Sequence, residues 1–192
     1  MLALATFASV RSANRAARVA ERSLMLGLRP TLVPSRPEDP VENVDFARGE
    51  RILHVPPGSA LIVHEEDHAL MAMALRNVGA GLAVLQAWHL RRGVPPGREP
   101  HVHHGDFREL TRDLYIAAGD TGYWQGAVRE PSDPLLEEIG LAIQEGDPLT
   151  VEVMYSDQED GQRFITRFVL RRRDAEWSAT AGRHWTLDQR PG

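Results

Sequence analysis

Residues 69–90 read ALMAMALRNVGAGLAVLQAWHL, an almost wholly apolar run long enough to suggest a membrane span. Its middle holds Arg76 and Asn77, followed by Gly79 and Gly81, all unfavourable inside a buried or lipid-embedded helix. The apolar residues also alternate in size. Met71, Met73 and Leu75 interleave with Ala72 and Ala74, and Leu82, Val84, Trp88 and Leu90 are interleaved with Ala83 and Ala87. A period of two belongs to strands, so the run predicts two buried strands joined through RNVGAG, where glycine admits a positive φ or a close backbone approach.

The flanking text continues the pattern. Upstream, apolar runs at 51–55 and 60–64 are separated by Pro56-Pro57-Gly58, and the charged turn Glu65-Glu66-Asp67 leads into the long run. Downstream, Leu149, Val151, Val153 and Tyr155 alternate with Thr150, Glu152, Met154 and Ser156, and residues 163–170 place Phe164, Phe168 and Leu170 opposite Arg163 and Arg167. These two segments read as an antiparallel hairpin with one wet face. A last strand is expected over 177–187 with an interruption near Gly182. Residues 133–145 alone read as helix, with Asp133 as cap, Pro134 in the first turn, and Leu135, Leu136, Ile139, Ala142 and Ile143 on one face. The expected fold is mainly β: an antiparallel β-sandwich of about seven to nine strands over residues 30–192, with this short helix.

Residues 1–29 differ in kind. They carry five arginines against one glutamate, a net +4, whereas residues 30–192 carry 17 arginines against 26 acids, a net −9, within an overall −5 for the 192 residues. The acidic body argues against a nucleic-acid partner. The uncharged run MLALATFASV precedes a helical segment in which Arg11, Arg15, Arg18 and Arg22 form one basic stripe. Ten uncharged residues cannot span a bilayer, and the arginines follow the run, whereas a secretory signal carries its charge first. The reading favoured is the cytoplasmic end of a membrane helix followed by a juxtamembrane basic segment that meets an anionic lipid surface on the cytoplasmic face of a bacterial inner membrane. The alternative is a soluble amphipathic helix that mediates oligomerisation or docks on a protein partner.

The phrase SLMLGLRPTLVP at 23–34 and LRNVGAGLAVL at 75–85, following an arginine-bearing helix, resemble a class of uncharacterised bacterial membrane-tethered β-sandwich proteins. In that class one or more N-terminal membrane helices precede a sandwich with an N-x-G-x-G connection between buried strands. The first phrase departs from the usual one by an inserted LMLG. The resemblance implies an architecture and a tether, and no activity.

Chemistry-bearing motifs are sparse. With no cysteine, disulfides, thiolate metal sites and cysteine nucleophiles are excluded. There is no G-x-S-x-G, phosphate loop or H-E-x-x-H, and the G-x-G of NVGAGLA lacks a following helix. The one dense histidine group is PHVHHGDF, which brings His101, His103, His104 and Asp106 within six residues, and an H-x-H pair on a strand would aim both rings to one side. A cupin-like metal enzyme built on His101 and His103 is therefore the competing reading. However, Gly97, His101, His103, Glu109 and Gly119 have the wrong spacings for the cupin motif, and the second-motif region offers Tyr123 and no histidine. Together with Pro95, Pro96 and Pro100, the segment reads as a solvated loop, and no cofactor or metal is expected. Trp88 is expected in the core and Trp124 in core or sandwich-end packing. The most economical function is a non-enzymatic interaction module with an unidentified protein partner.

Overall fold

The computed structural model describes residues 27–46, 51–158, 161–174 and 176–187, with residue 17 besides. The basic stripe Arg11, Arg15, Arg18 and Arg22, and nearly all of the helix expected over 1–29, lie outside these residues. The described chain is mainly β. In order it forms β1 (Leu32–Pro34), β2 (Glu42–Phe46), β3 (Arg51–Val55), β4 (Ser59–His64), β5 (Ala69–Asn77), β6 (Ala83–Arg92), β7 (Arg108–Ile116), β8 (Thr121–Val128), α1 (Pro134–Glu145), β9 (Leu149–Ser156), β10 (Arg163–Arg173) and β11 (Glu176–Thr186). No described helix is long and apolar enough to cross a membrane.

Nine strands make one curled antiparallel sheet. From β8 the order runs through β5, then β4 and β1 side by side along β5, then β11, β10, β9, β6 and β7. The remaining two, β2 and β3, form a separate hairpin. The size alternation in β5 has a direct cause. Met71, Met73 and Leu75 point into the main core with Leu85, Trp88, Trp124, Val151, Val153, Tyr155 and Phe168. Ala72 and Ala74, with Leu70, point the other way, into a smaller core closed by Val44, Phe46, Leu53 and Val55 of the β2–β3 hairpin. A strand buried on both faces reads as a continuous apolar run, here with small residues where the hairpin comes close.

The RNVGAG connection is where distant parts of the chain meet. Asn77 is fully buried. Its Oδ1 accepts from the backbone N–H groups of Thr31 and Gly79, each at 3.0 Å, and its Nδ2 donates to the carbonyls of Gly81 (2.7 Å) and Ile116 (3.0 Å). All four hydrogen-bonding positions of the amide are used. One side chain thus ties the start of β1, the β5–β6 turn and the end of β7. The chain before β1 lies directly on the two glycines. A Cβ at Gly79 would stand 2.2 Å from the Arg29 carbonyl oxygen, and one at Gly81 would stand 1.8 Å from that of Leu28. Of the two reasons expected for glycine here, close backbone approach is the operative one.

The expected helix is present. Asp133 accepts from the Leu135 N–H at 3.0 Å, Pro134 opens the first turn, and Gly146 ends the helix in the left-handed region at φ 74°. Leu135, Leu136, Ile139 and Ala142 face the main core. The irregularity expected near Gly182 is a register shift in which Thr166 pairs with His184 and Phe168 with Ala181.

The hairpin of β9 and β10 corrects the expectation of a wet face. Glu152 and Arg167 sit opposite each other and are 1% and 5% exposed. The segment over 93–107 covers them. Arg167 donates through Nε to Glu152 Oε1 at 2.7 Å and through its terminal nitrogens to the carbonyls of Glu99 (3.2 Å) and Pro100 (2.8 Å). Glu152 Oε2 accepts from the Val102 N–H at 3.0 Å. The proline-rich stretch is thus fastened along one side by a buried ion pair, where the sequence suggested a fully solvated loop.

Candidate binding groove at an unpaired seam

Strands β7 and β8 are consecutive and joined by the tight turn 117–120, where the Asp120 N–H donates to the Ala117 carbonyl at 3.1 Å. They form no ladder with each other: β7 pairs with β6, and β8 with β5. The curled sheet therefore has two free edges that face one another and diverge away from the turn. Strand β7 adds its own irregularity, because Leu85 lies opposite Leu114 but Ala87 lies opposite Glu109, so residues 110–113 bulge out of register.

A groove of about 530 Å³ occupies the open end of this seam. One wall is Arg108 to Arg112 of β7, the other is Gln125 to Ala127 of β8 with Arg129 beyond it, and Asp45 and Phe46 of the β2–β3 hairpin form the rim. Trp88 lies at its base, edge-on to Trp124 at 5.6 Å between ring centroids. Gly126 makes room for these rings, since a Cβ there would come within 2.8 Å of the Trp124 ring and 3.2 Å of that of Trp88. Both tryptophans are buried, as expected, and the indole N–H of Trp124 has no hydrogen-bond partner among the described residues.

Three arginines reach the groove in different states. Arg108 is fully engaged: both terminal nitrogens hold the Asp133 carboxylate, the guanidinium lies 5.7 Å from the Trp88 ring, and this pairing keeps the Asp133 carboxyl below its ordinary range. Arg112 spans the seam with three long bonds from one nitrogen, to the Asp45 carbonyl (3.3 Å), the Tyr123 hydroxyl (3.2 Å) and Gln125 Oε1 (3.4 Å). None of these acceptors is charged. Gln125 is nine-tenths buried, and its Nε2 has no partner among the described residues. Arg129 is exposed and has no ion-pair partner among them. The groove thus offers an aromatic base, two strand edges and two cations without carboxylate partners among the described residues, with the acidic residues Asp45 and Glu109 also in its lining.

The histidine group lies elsewhere. His101 and His103 precede a single 3-10 turn over His104–Asp106 and are not on a strand, so the alternation that would align their rings does not apply. His101 stacks on His104 at 5.6 Å and meets Trp185 edge-on at 5.6 Å. His101 Nδ1 donates to the Val102 carbonyl at 2.7 Å, whereas His103 Nδ1 accepts from the Gly105 N–H at 3.2 Å, which puts the proton of a neutral His103 on Nε2. The two rings are therefore held in opposite tautomers, and a shared cation would require His103 to give up Gly105. Among the described residues, the ligand atoms that lie within 4.8 Å of one another belong to Glu65, Asp67 and His68, an exposed turn tied up by its own pairs and by Arg51.

Two other histidines bear on pH. His89, packed on Phe107, and His184, bonded to Thr166 Oγ1 at 2.8 Å, are both held below the ordinary imidazole range by burial. A base whose folded pKa is depressed stays neutral in the fold while the unfolded chain takes up a proton below about pH 6.5, so stability is lost as pH falls through that value. The urea midpoint is expected to be lower at pH 5.0 than at pH 7.5. A His89→Phe variant, which keeps a ring against Phe107, should narrow that difference.

No family model matches the chain, and no curated protein matches it significantly. It is similar to a protein of Archaeoglobus fulgidus at 13% identity, over 69% of this chain and 94% of that one, with a TM-score of 0.27. It is similar also to a Bordetella pertussis protein provisionally assigned as ApaA, at 10% identity over 67% of this chain and 87% of that one, with a TM-score of 0.23.

Proposed function

We propose that this chain is a non-enzymatic, membrane-tethered β-sandwich that acts as an interaction module at the cytoplasmic face of a bacterial inner membrane and receives a protein partner in the β7–β8 seam. The observation that carries the binding role is the seam itself. Two facing strand edges are left without a ladder, over a tryptophan base, beside arginines that have only neutral partners or none. Backbone edges are recognition surfaces because each unpaired N–H and C=O can hydrogen-bond to another chain. The tether rests on the charge division, with a +4 leader bearing Arg11, Arg15, Arg18 and Arg22 joined to a −9 body.

Flotation of the full chain with vesicles tests the tether. The protein is expected to float with vesicles containing anionic phosphatidylglycerol and to remain below purely zwitterionic ones. Replacing the four arginines by glutamate should abolish flotation. Equal recovery with both vesicle types, or no flotation at all, would remove the membrane from this reading. Sedimentation of the chain with and without residues 1–26, a cut that keeps Leu28 and Arg29 on Gly79 and Gly81, separates the tether from an oligomerising helix, since only the latter lowers the oligomeric state when deleted.

A further inference from the structure

On the reading of the seam as the interaction site, we infer that its occupant is an extended acidic polypeptide segment, added as a strand along the free edge of β8, with carboxylates at Arg112 and Arg129 and apolar side chains over Trp88. Three observations converge on that chemistry. The first is the edge. Residues 125–128 of β8 are laddered to β5 on one side only, and Arg108 and Glu109 of β7 to β6 on one side only. A peptide backbone matches such a row of alternating donors and acceptors along its length, whereas a compact ligand meets only one or two of them.

The second is the two-sidedness of β8. Trp124 and Val128 face the main core, and Gly126 lies against the rings of Trp124 and Trp88. Tyr123 and Ala127 pack toward the β2–β3 hairpin, and Gln125 shares their face by strand alternation. A strand laid beside β8 inherits the same alternation. One row of its side chains meets the Trp88 side of the groove, and the other meets Arg112 and the Nε2 of Gln125. The occupant should therefore alternate apolar and acidic residues.

The third is the state of the cations. Of the other arginines in the sheet, Arg76, Arg91, Arg92 and Arg167 hold carboxylates, as does Arg108 in the groove itself, whereas Arg171, Arg172 and Arg183 pair with none among the described residues. Arg112 holds only a carbonyl, a phenol and an amide oxygen, at 3.2–3.4 Å, the long end for such bonds. A carboxylate adds an opposite charge and a bidentate fit to the guanidinium that none of these neutral acceptors supplies, so it displaces them. Arg129 stands a short way along the same edge with no carboxylate among the described residues.

Selection from a random octapeptide library on the immobilised full chain tests the inference. The enriched sequences are expected to alternate Asp or Glu with aliphatic or aromatic residues. A synthetic peptide of the consensus should shift the backbone amide signals of residues 108–112 and 125–129. Arg129→Glu, at an exposed position, should leave the urea midpoint unchanged and weaken that peptide at least tenfold, and Arg112→Lys should weaken it less. N-methylation of alternate amides should abolish binding when placed on the amides facing β8 and spare it in the other phase. Overturning results are acid-free enrichment, indifference to Arg129→Glu, or indifference to N-methylation, the last pointing to carboxylate capture without strand addition. If such peptides still shift the seam signals, the occupant is wrong but the interaction reading stands. If nothing is enriched and no seam signal moves, both fall.

Discussion

Asn77→Ala is expected to lower the unfolding free energy by about 3–4 kcal/mol, because a buried polar group stripped of its partner costs about 1–3 kcal/mol and this change strips two buried carbonyls, together with two part-buried N–H groups that lose less. The four are the Thr31 and Gly79 N–H groups and the Gly81 and Ile116 carbonyls. Since these lie in three separate stretches of chain, the loss is not confined to one turn. Urea unfolding followed by tryptophan fluorescence measures it directly. Asn77→Asp separates hydrogen bonding from packing. The aspartate fills the same volume and keeps an acceptor for the two N–H groups, but it sets a second carboxylate oxygen against two carbonyls. Protonation relieves that clash, so the folded-state pKa of the introduced acid is raised and the folded form of the variant binds a proton more readily than its unfolded form. Its deficit relative to the parent should be greatest at neutral pH and shrink on acidification. A deficit that is flat with pH would mean that the amide bonds are not what matters at this site.

The second large effect is expected at Glu152. Removing one partner of a buried ion pair strands the other, at a cost of about 3–5 kcal/mol, while replacing both by apolar residues of similar volume is close to neutral. Glu152→Ala leaves the buried Arg167 guanidinium with two carbonyls and the Trp185 ring but no carboxylate, so a loss of about 4 kcal/mol is expected. The double variant Glu152→Leu/Arg167→Met should recover most of it. It should not recover the covering segment, because the Val102 N–H and the carbonyls of Glu99 and Pro100 lose their anchors together. Hydrogen exchange over residues 99–107 is thus expected to accelerate in the double variant although its urea midpoint is near that of the parent. Slow exchange there in the double variant would show that the pair is not the fastening.

Much of this architecture can be read from the residues alone, and the parts that cannot share a cause. β5, β9 and β10 are legible because core-facing residues recur at every second position, β11 because Trp177 and Ala179 begin it in the same way, and α1 from its cap, its proline and its apolar face. β6 is legible only as an apolar run, since a bulge at Gln86 moves its core-facing set from Ala83 and Leu85 to Trp88 and Leu90, where the sequence suggested Leu82 and Val84. β7 is not, since RELTRDLYI is exposed at six of nine positions and its bulge shifts the alternation midway. β8 hides behind Gly122 and Gly126, which interrupt the apolar pattern for steric reasons that only the neighbouring Ile116 and tryptophan rings reveal. The groove follows from these two strands declining to pair across a tight turn, a fact of topology that no local period records. Buried Arg167 misleads in a similar way, because its cover comes from a segment more than 60 residues earlier in the chain. The N-x-G-x-G phrase, by contrast, is legible as a connection between strands, and its full meaning is the seating of residues 28–31 upon it.

The divided burial of β5 bears on how the molecule moves. Its methionines and Leu75 are locked into the large interior, so that side can open only when the whole sheet does. On the other side the β2–β3 hairpin holds on through four large apolar residues, Val44, Phe46, Leu53 and Val55, set against alanines and the shorter aliphatic faces of β4 and β5. Such a unit has far less apolar area to lose on leaving and is the natural first cooperative unit to detach below global unfolding. Because Asp45 and Phe46 form the rim of the groove, its breadth answers to that local equilibrium and not to the stability of the sheet. The molecule thereby carries a recognition surface that can breathe on a framework that does not.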